Sequence, residues 1–216
     1  KVDLIVEVCH PDIIKQYGAL LISHADLLVG SSTAFAEEEC AQRLKTSAAE
    51  HKHRLLIARG ALWGANDIQR MARQDLLESV KVTMYFHPGS LRLPDGNSLK
   101  QANDELLRKP EGSKESRILY EGPVRDVCKL APNNVNTMAT VALIGIGLDR
   151  TIGCLVSDLG LTDHHRIVVE VTGVRRPGAS RQFRADCVRQ SPTSNESSVS
   201  TTQTYDAFWQ SILGMF

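Results

Sequence analysis

The sequence predicts an α/β protein in two parts: a doubly wound unit with a parallel sheet, then an α+β unit with a mostly antiparallel sheet. At the start of the chain, short apolar runs alternate with helical segments in the order strand, helix, strand, helix, strand. In the later part, a strand-like run alternates apolar and polar residues, as strands with one solvated face do. Together these patterns favour a parallel sheet followed by an antiparallel one.

The first part contains three predicted strands and two predicted helices. The strands are Val2–Val8, Leu27–Gly30 and Arg54–Ala58, and such apolar runs fit strands buried on both faces. The helices run from Pro11 to about Ile22 and from about Ala34 to Ala49. The first helix has proline in its first turn, and the second follows a Ser-Ser-Thr sequence that can cap it.

The chain begins inside the first predicted strand. Lys1 is not a methionine, and the apolar run starts at Val2. We therefore expect partner strands of this sheet to lie upstream in the natural protein.

The carboxyl ends of these strands carry the first candidate site residues, because open parallel sheets bind ligands at that edge. Cys9 follows the first strand, Ser31 follows the second, and Gly60 and Ala61 follow the third. For Cys9, a buried and unreactive thiol is the favoured alternative, because no base is visibly paired with it.

The second part is predicted to contain five strands and several helices. The strands are Ser79–Phe86, Arg117–Glu121, Thr151–Ser157, Arg166–Thr172 and Gln182–Val188. The helices include Asn66–Leu77, Leu99–Lys109 and Met138–Ile146, with an amphipathic helix, Thr204–Phe216, at the end. Between the last strand and that helix, Ser191–Gln203 is rich in Ser and Thr and is a predicted linker or exposed loop.

A turn with three asparagines precedes the apolar helix that starts at Met138. Asn133, Asn134 and Asn136 exceed what one helix cap needs. The spare amides are candidates for contact with a ligand, and a redundantly capped turn is the alternative.

Histidines supply the candidates for proton transfer. His164 and His165 stand directly before a strand, and a histidine there can act as a general base near neutral pH. An exposed loop histidine is the alternative. His87 follows another strand and can face the same cleft, with a simple turn as its alternative. No metal site is expected, because adjacent histidines point apart and no cysteine or carboxylate set has zinc spacing.

The composition indicates which classes of partner and which compartment to expect. The chain has 25 basic and 25 acidic residues, and this zero net charge argues against a nucleic-acid binder. No apolar run approaches the length of a membrane span, so no membrane partner is expected. The five cysteines are scattered, which favours a reducing cytoplasmic location over a disulfide framework.

Six segments, in this order and spacing, resemble the L-aspartate dehydrogenase family along nearly the whole chain. They are DLIVEVCHPDIIKQYG, LLVGSSTAFA, ARGALWGANDI, LYEGPVRDVCKLAPNNVNTMA, VSDLGLTDHH and AFWQSIL. The resemblance implies the second half of a Rossmann domain for NAD or NADP at 1–62, with its first strands missing. It also implies an α+β catalytic and dimerisation domain at 63–195, and at 196–216 a helix that returns to the Rossmann domain.

The resemblance also implies site residues. The family's catalytic histidine matches His165, and its cofactor-contacting Ala and Asn match Ala61 and Asn136. Gly60, Asn134, Ser31 and Cys9 are expected on the cofactor side beside them. His87 and His164 are weaker candidates for substrate binding.

The implied reaction is the NAD(P)-dependent oxidation of L-aspartate to oxaloacetate and ammonia by a homodimer. Two alternatives stay open: a protein that binds NAD(P) without catalysis, and a related oxidoreductase for another amino or hydroxy acid. Departures from the family motivate the second alternative. Trp63 and Arg59 replace a Gly and a Ser of many relatives, and Phe86-His87-Pro88 replaces a microbial Lys-Pro-Pro.

Overall fold

A computed structural model describes residues 2–60 and 62–213. Its strands are β1 (Leu4–Glu7), β2 (Asp26–Val29), β3 (Leu55–Ile57), β4 (Leu77–Phe86), β5 (Ser116–Pro123), β6 (Ile152–Asp158), β7 (His164–Gly173) and β8 (Arg184–Pro192). Its α-helices are α1 (Pro11–His24), α2 (Glu38–His51), α3 (Ala65–Arg73), α4 (Ser98–Leu107), α5 (Val124–Leu130), α6 (Asn136–Ile144) and α7 (Thr202–Leu213).

The first sheet is parallel and has the order β1-β2-β3. Helices α1 and α2 pack on it through a core that includes Ile14, Ile22, Leu27 and Leu44, each at most 1% exposed. Burying one such side chain contributes roughly 1.5–3 kcal/mol. Because all three strands run the same way, their carboxyl ends lie along one edge of the sheet.

The second sheet has the order β5-β6-β4-β7-β8, and only the β4–β6 pair is parallel. One face packs on helices through side chains such as Val82, Val127, Met138 and Leu155, all fully buried. We call this the inner face. The predicted fold class, a doubly wound parallel unit followed by a mostly antiparallel α+β unit, is confirmed. The division into three domains stays a prediction.

The predicted second helix was wrong at its start. Residues Ser32–Ala36 form a 3-10 helix whose residues are all buried, and α2 begins only at Glu38. The Ser-Ser-Thr sequence therefore does not cap α2. Two of its hydroxyls instead donate to the asparagine turn, Ser32 Oγ to the carbonyl of Asn136 at 2.8 Å and Thr33 Oγ1 to the carbonyl of Pro132 at 2.9 Å.

Strand β8 is longer than the sequence predicted. It reaches Pro192, so Ser191 lies in the sheet opposite His165 and is fully buried. The predicted linker thus begins only after this strand. The terminal helix α7 follows, and its Phe208 ring lies against Gly30 at the end of β2. This contact brings the carboxyl-terminal helix back to the first sheet.

Candidate active site

A buried carboxylate, Glu7, organises the carboxyl edge of the first sheet. Its Oε1 accepts from the main-chain N–H groups of Cys9 at 2.7 Å and His10 at 3.0 Å, and from Ser31 Oγ at 2.9 Å. Its Oε2 accepts from the N–H of Ser31 at 3.0 Å. A carboxylate that is 3% exposed is tolerable only with such donors. Glu7 thereby fixes the loops after β1 and β2.

Sequence reasoning missed Glu7, although a signal was present. It is the single acid near the end of an otherwise apolar run, and a buried acid is rarely found without bonded partners. Because Ser31 and the N–H of Cys9 are bonded to Glu7, these two candidates shape the edge through their main chain. The thiol of Cys9 is exposed.

The loop after β2 approaches its neighbours closely at Gly30. A Cβ at this position would lie 2.7 Å from the carbonyl oxygen of Glu7 and 3.1 Å from the ring of Phe208. Glycine is therefore required here. The carboxyl edge of the sheet is closed on one side by α7 as a result.

The third strand ends at a loop with an open side. Gly60 has φ +52°, in the left-handed region that glycine adopts readily, and no described atom lies within 4 Å of where its Cβ would be. Another group can approach the main chain there. Ala61, the candidate next to it, lies outside the described residues.

Asn136 joins the two parts of the chain. Its Oδ1 accepts from the N–H of Thr33 at 3.2 Å, and its carbonyl accepts from Ser32 Oγ at 2.8 Å. Among residues 2–60 and 62–213, no bond is recorded for its Nδ2. The side chain is thus oriented by the loop after β2 while its donors stay available.

The side-chain amide of Asn134 is hydrogen-bonded within the protein. Oδ1 accepts from the N–H of Arg92 at 2.8 Å, and Nδ2 donates to the carbonyl of Ser90 at 3.1 Å. The side chain is 6% exposed. Its amide therefore fastens the asparagine turn to the segment that carries Ser90.

His165 lies on the inner face at the start of β7 and is 4% exposed. Its ring meets the ring of Phe86 edge to face, with centroids 4.6 Å apart. Nε2 lies 3.4 Å from Oγ of Ser90, whose hydroxyl donates to the carbonyl of Glu196 at 2.6 Å. Ser90 is a second residue that sequence reasoning missed, because it is distant from His165 in the chain.

Burial lowers the pKa of His165 below its ordinary value, and the charge of Arg189 lowers it further. A hydrogen bond from the ring to the carbonyl of Ser198 acts the other way and raises the pKa. The ring is therefore neutral at pH 7. A neutral imidazole keeps one ring nitrogen unprotonated, and that nitrogen has the lone pair that a base needs.

His87 lies close to the same segment. It is 7% exposed, its Nδ1 accepts from the N–H of Gly89 at 3.2 Å, and its Nε2 is 3.8 Å from Oε2 of Glu196. Residues 196–198 therefore contact both His87 and His165. The substrate role of His87 stays a prediction.

His164 is not brought to this place. Adjacent residues of a strand point to opposite faces, and His164 lies on the outer face with Nδ1 2.6 Å from Oδ1 of the exposed Asp163. The structure thus gathers His165, His87 and Asn134 on one side of the second sheet and leaves His164 on the other.

The family model "Aspartate dehydrogenase, C-terminal" matches residues 67–211. The chain belongs to the aspartate dehydrogenase family. An aspartate dehydrogenase domain-containing protein of Xenopus tropicalis is 39% identical, over 98% of this chain and 72% of that protein. An L-aspartate dehydrogenase of Serratia proteamaculans is 29% identical, over 77% of this chain and 61% of that enzyme.

A solved structure has the same architecture. The crystal structure of aspartate dehydrogenase from Thermotoga maritima superimposes with a TM-score of 0.70 at 19% identity, over 99% of this chain and 76% of that one. The likeness confirms the Rossmann-like fold. Family membership confirms the predicted enzyme class, an NAD(P)-dependent amino-acid dehydrogenase that acts on a small molecule.

No group of three or more histidine, cysteine or acidic side chains is placed to hold a metal ion within 2–60 and 62–213. In the same ranges, no helix has the length and apolar character needed to cross a bilayer.

Proposed function

We propose that this protein is an NAD(P)-dependent L-aspartate dehydrogenase in which His165 is the general base. The observation that carries the proposal is His165 itself, buried, neutral at pH 7 and held by Phe86 and the Ser198 carbonyl. A base needs a pKa at or below the working pH and a ring held in place. The lowered pKa of His165 supports the first requirement, and its packing on Phe86 supports the second.

The residues present fit a pyridine nucleotide. Asn136 has an oriented amide, and an amide can pair with the carboxamide of nicotinamide. The open main chain at Gly60 leaves room beside it. In the proposal Ala61 and Asn136 contact the cofactor, and Gly60, Asn134, Ser31 and Cys9 shape the pocket. Either NAD or NADP is compatible with these residues.

A bound pyridine nucleotide would supply the hydride acceptor for the aspartate carbon that bears the amine, and iminoaspartate is the product of that oxidation. His165 then removes a proton from water as the water oxygen forms a bond to that carbon. His165 returns the proton to the nitrogen, the carbon–nitrogen bond breaks as the new hydroxyl loses its proton to solvent, and ammonia and oxaloacetate remain. The ring of His165 packs on Phe86 and is 4% exposed, which limits its contact with bulk water.

The test uses the full-length protein with NADH or NADPH, oxaloacetate and ammonia, followed by the loss of reduced cofactor. We expect oxidation that requires both oxaloacetate and ammonia. Cofactor binding without turnover of any amino or keto acid would replace the proposal with a non-catalytic binding protein. Turnover of a different keto acid in preference to oxaloacetate would show that aspartate is not the substrate.

The proposal includes a homodimer in the cytoplasm. The outer face of the second sheet exposes the apolar side chains of Ile118 and Val188, at 59% and 56%, which supports a partner surface there. The five cysteines are free, as expected in a reducing compartment. Light scattering on the full-length protein would give the oligomeric state, and a monomer would remove the dimer from the proposal.

A further inference from the structure

A cleft lies between the loop after β3, the first turn of α6 and the inner face of β7 and β8. Its lining is apolar except for two side chains, Thr137 and Arg189. We call it the Arg189 cleft, and it is lined by Leu62, Trp63, Thr137, Ile167, Val169, Cys187 and Arg189.

The Arg189 cleft adjoins three of the predicted site residues. Leu62 follows Ala61 in the chain, and Thr137 follows Asn136. On the sheet, Arg189 pairs with Ile167, and His165 lies two residues from Ile167 on the same face. The space measures about 10 Å³, room for about one water-sized group, so only an end group of a substrate would enter it, between the predicted nicotinamide contacts and the base.

Arg189 is a half-buried cation without a carboxylate partner in the described ranges. Its Nε is fully buried with no hydrogen-bond partner, and no carboxylate lies within 4.0 Å of its nitrogens. Several other arginines are paired with carboxylates. Arg125, for example, donates from Nε to Asp149 at 2.6 Å, and Arg54 does the same to Asp26.

A partly desolvated cation without a counter-ion carries a cost that a bound anion can offset. Burial lowers the pKa of Arg189, which is the sign of that cost. The planar guanidinium matches a carboxylate with two parallel hydrogen bonds. The cleft thus has the chemistry of a carboxylate site.

Aspartate has two carboxylates, and the spacing of Arg189 and His165 along the strands indicates which of them Arg189 binds. Arg189 lies two residues along β8 from Ser191, the partner of His165, and two residues span roughly 7 Å. The reacting carbon must lie within reach of His165 through one water. The guanidinium is therefore better placed for the carboxylate farther from that carbon.

We propose that Arg189 binds the side-chain carboxylate of the substrate, so that the Arg189 cleft selects dicarboxylic over monocarboxylic acids. The inference rests on the proposed function, because it assigns a subsite to the same reaction. It is also a statement about binding, and binding can be measured without turnover.

The binding test uses succinate, an unreactive dicarboxylate, titrated calorimetrically into the full-length protein with cofactor bound. We expect Arg189→Gln to weaken succinate at least about tenfold, because a charge-assisted pair is lost. Arg189→Lys should keep part of the affinity. The affinity for the cofactor, unchanged within about twofold, would show that the variants are folded.

Arg166 offers a matched control on the neighbouring strand. Its Nε is likewise buried without a partner, but its guanidinium lies over the ring of Tyr85 at 5.1 Å on the outer face. Arg166→Gln should leave succinate affinity unchanged. Equal weakening by Arg166→Gln and Arg189→Gln would overturn the inference, because the effect would then be one of general stability.

A kinetic test compares oxaloacetate with pyruvate in the ammonia-dependent reaction. Arg189→Gln should raise the KM for oxaloacetate at least about tenfold and leave pyruvate unchanged, which removes the discrimination. Equal losses for both substrates would overturn the assignment. If the wild type binds succinate through Arg189 and turns over neither acid, the proposed reaction fails and the carboxylate site stands. If it binds no dicarboxylate, the site fails.

Discussion

His164 and His165 are adjacent in the chain and differ in almost every physical respect. His165 is buried on the inner face, packed on Phe86, with its pKa lowered by burial. His164 is on the outer face and pairs with the exposed Asp163. Strand alternation, rather than residue type, therefore decides which histidine can serve as a base. Arg189 and Arg166 repeat the contrast on the same two faces.

The largest expected effect comes from replacing each of the two histidines in turn. His165→Ala should lower turnover of oxaloacetate and ammonia by about 10²-fold or more, because it removes the base. His164→Ala should change turnover less than about threefold, since that side chain faces away from the cleft. Steady-state rates of the two variants give the answer, and similar losses would contradict the assignment of one base.

A smaller effect on unfolding free energy distinguishes the inner from the outer face of the second sheet. Val169→Ala, on the inner face at 4% exposure, should cost about 2 kcal/mol of unfolding free energy through lost burial and the remaining cavity. Val188→Ala, at 56% exposure, should change it by about 0.5 kcal/mol or less. Urea unfolding of both variants measures the difference. Equal costs would mean that the outer face is covered in solution.

The smallest expected effect concerns pH. The pKa of His165 is lowered in the fold, so below about pH 6.5 the unfolded chain binds the proton more readily. Folding stability from this group is present above that pH and is lost as the pH falls toward the lowered pKa. The stability difference between wild type and His165→Gln should therefore shrink on acidification.

The acid limb of the rate profile should follow the same group. Arg189→Gln removes a cation that lowers the pKa of His165, so the limb should move to higher pH. Urea unfolding between pH 5 and about 8, with rate profiles over the same range, measures both effects. A stability difference that stays constant with pH would show that His165 does not titrate differently in the fold.

Much of the fold followed from the sequence because apolar runs and turn residues are local signals. The three parallel strands and the five of the second sheet were all placed, with ends shifted by a few residues. The 3-10 helix at Ser32–Ala36 could not be predicted, because its hydrogen bonds go to the distant asparagine turn. Tertiary contacts there outweigh the local capping preference.

The candidate site was only partly predictable for a related reason. His165 could be singled out by its position before a strand, but its partner Ser90 lies far away in the chain. Arg189 was missed because the strand was expected to end at Val188. With β8 extended to Pro192, alternation places Cys187, Arg189 and Ser191 on the inner face.

The segment that covers His165 is held almost entirely through its own main chain. Ser90 donates to the carbonyl of Glu196, Arg92 donates to the carbonyl of Ser197 at 3.0 Å, and the His165 ring bonds the carbonyl of Ser198. The wall beside His165 is therefore built from main-chain carbonyls, which every residue type supplies. A substitution at Ser197 that leaves the path of the backbone unchanged would keep the bond from Arg92 in place.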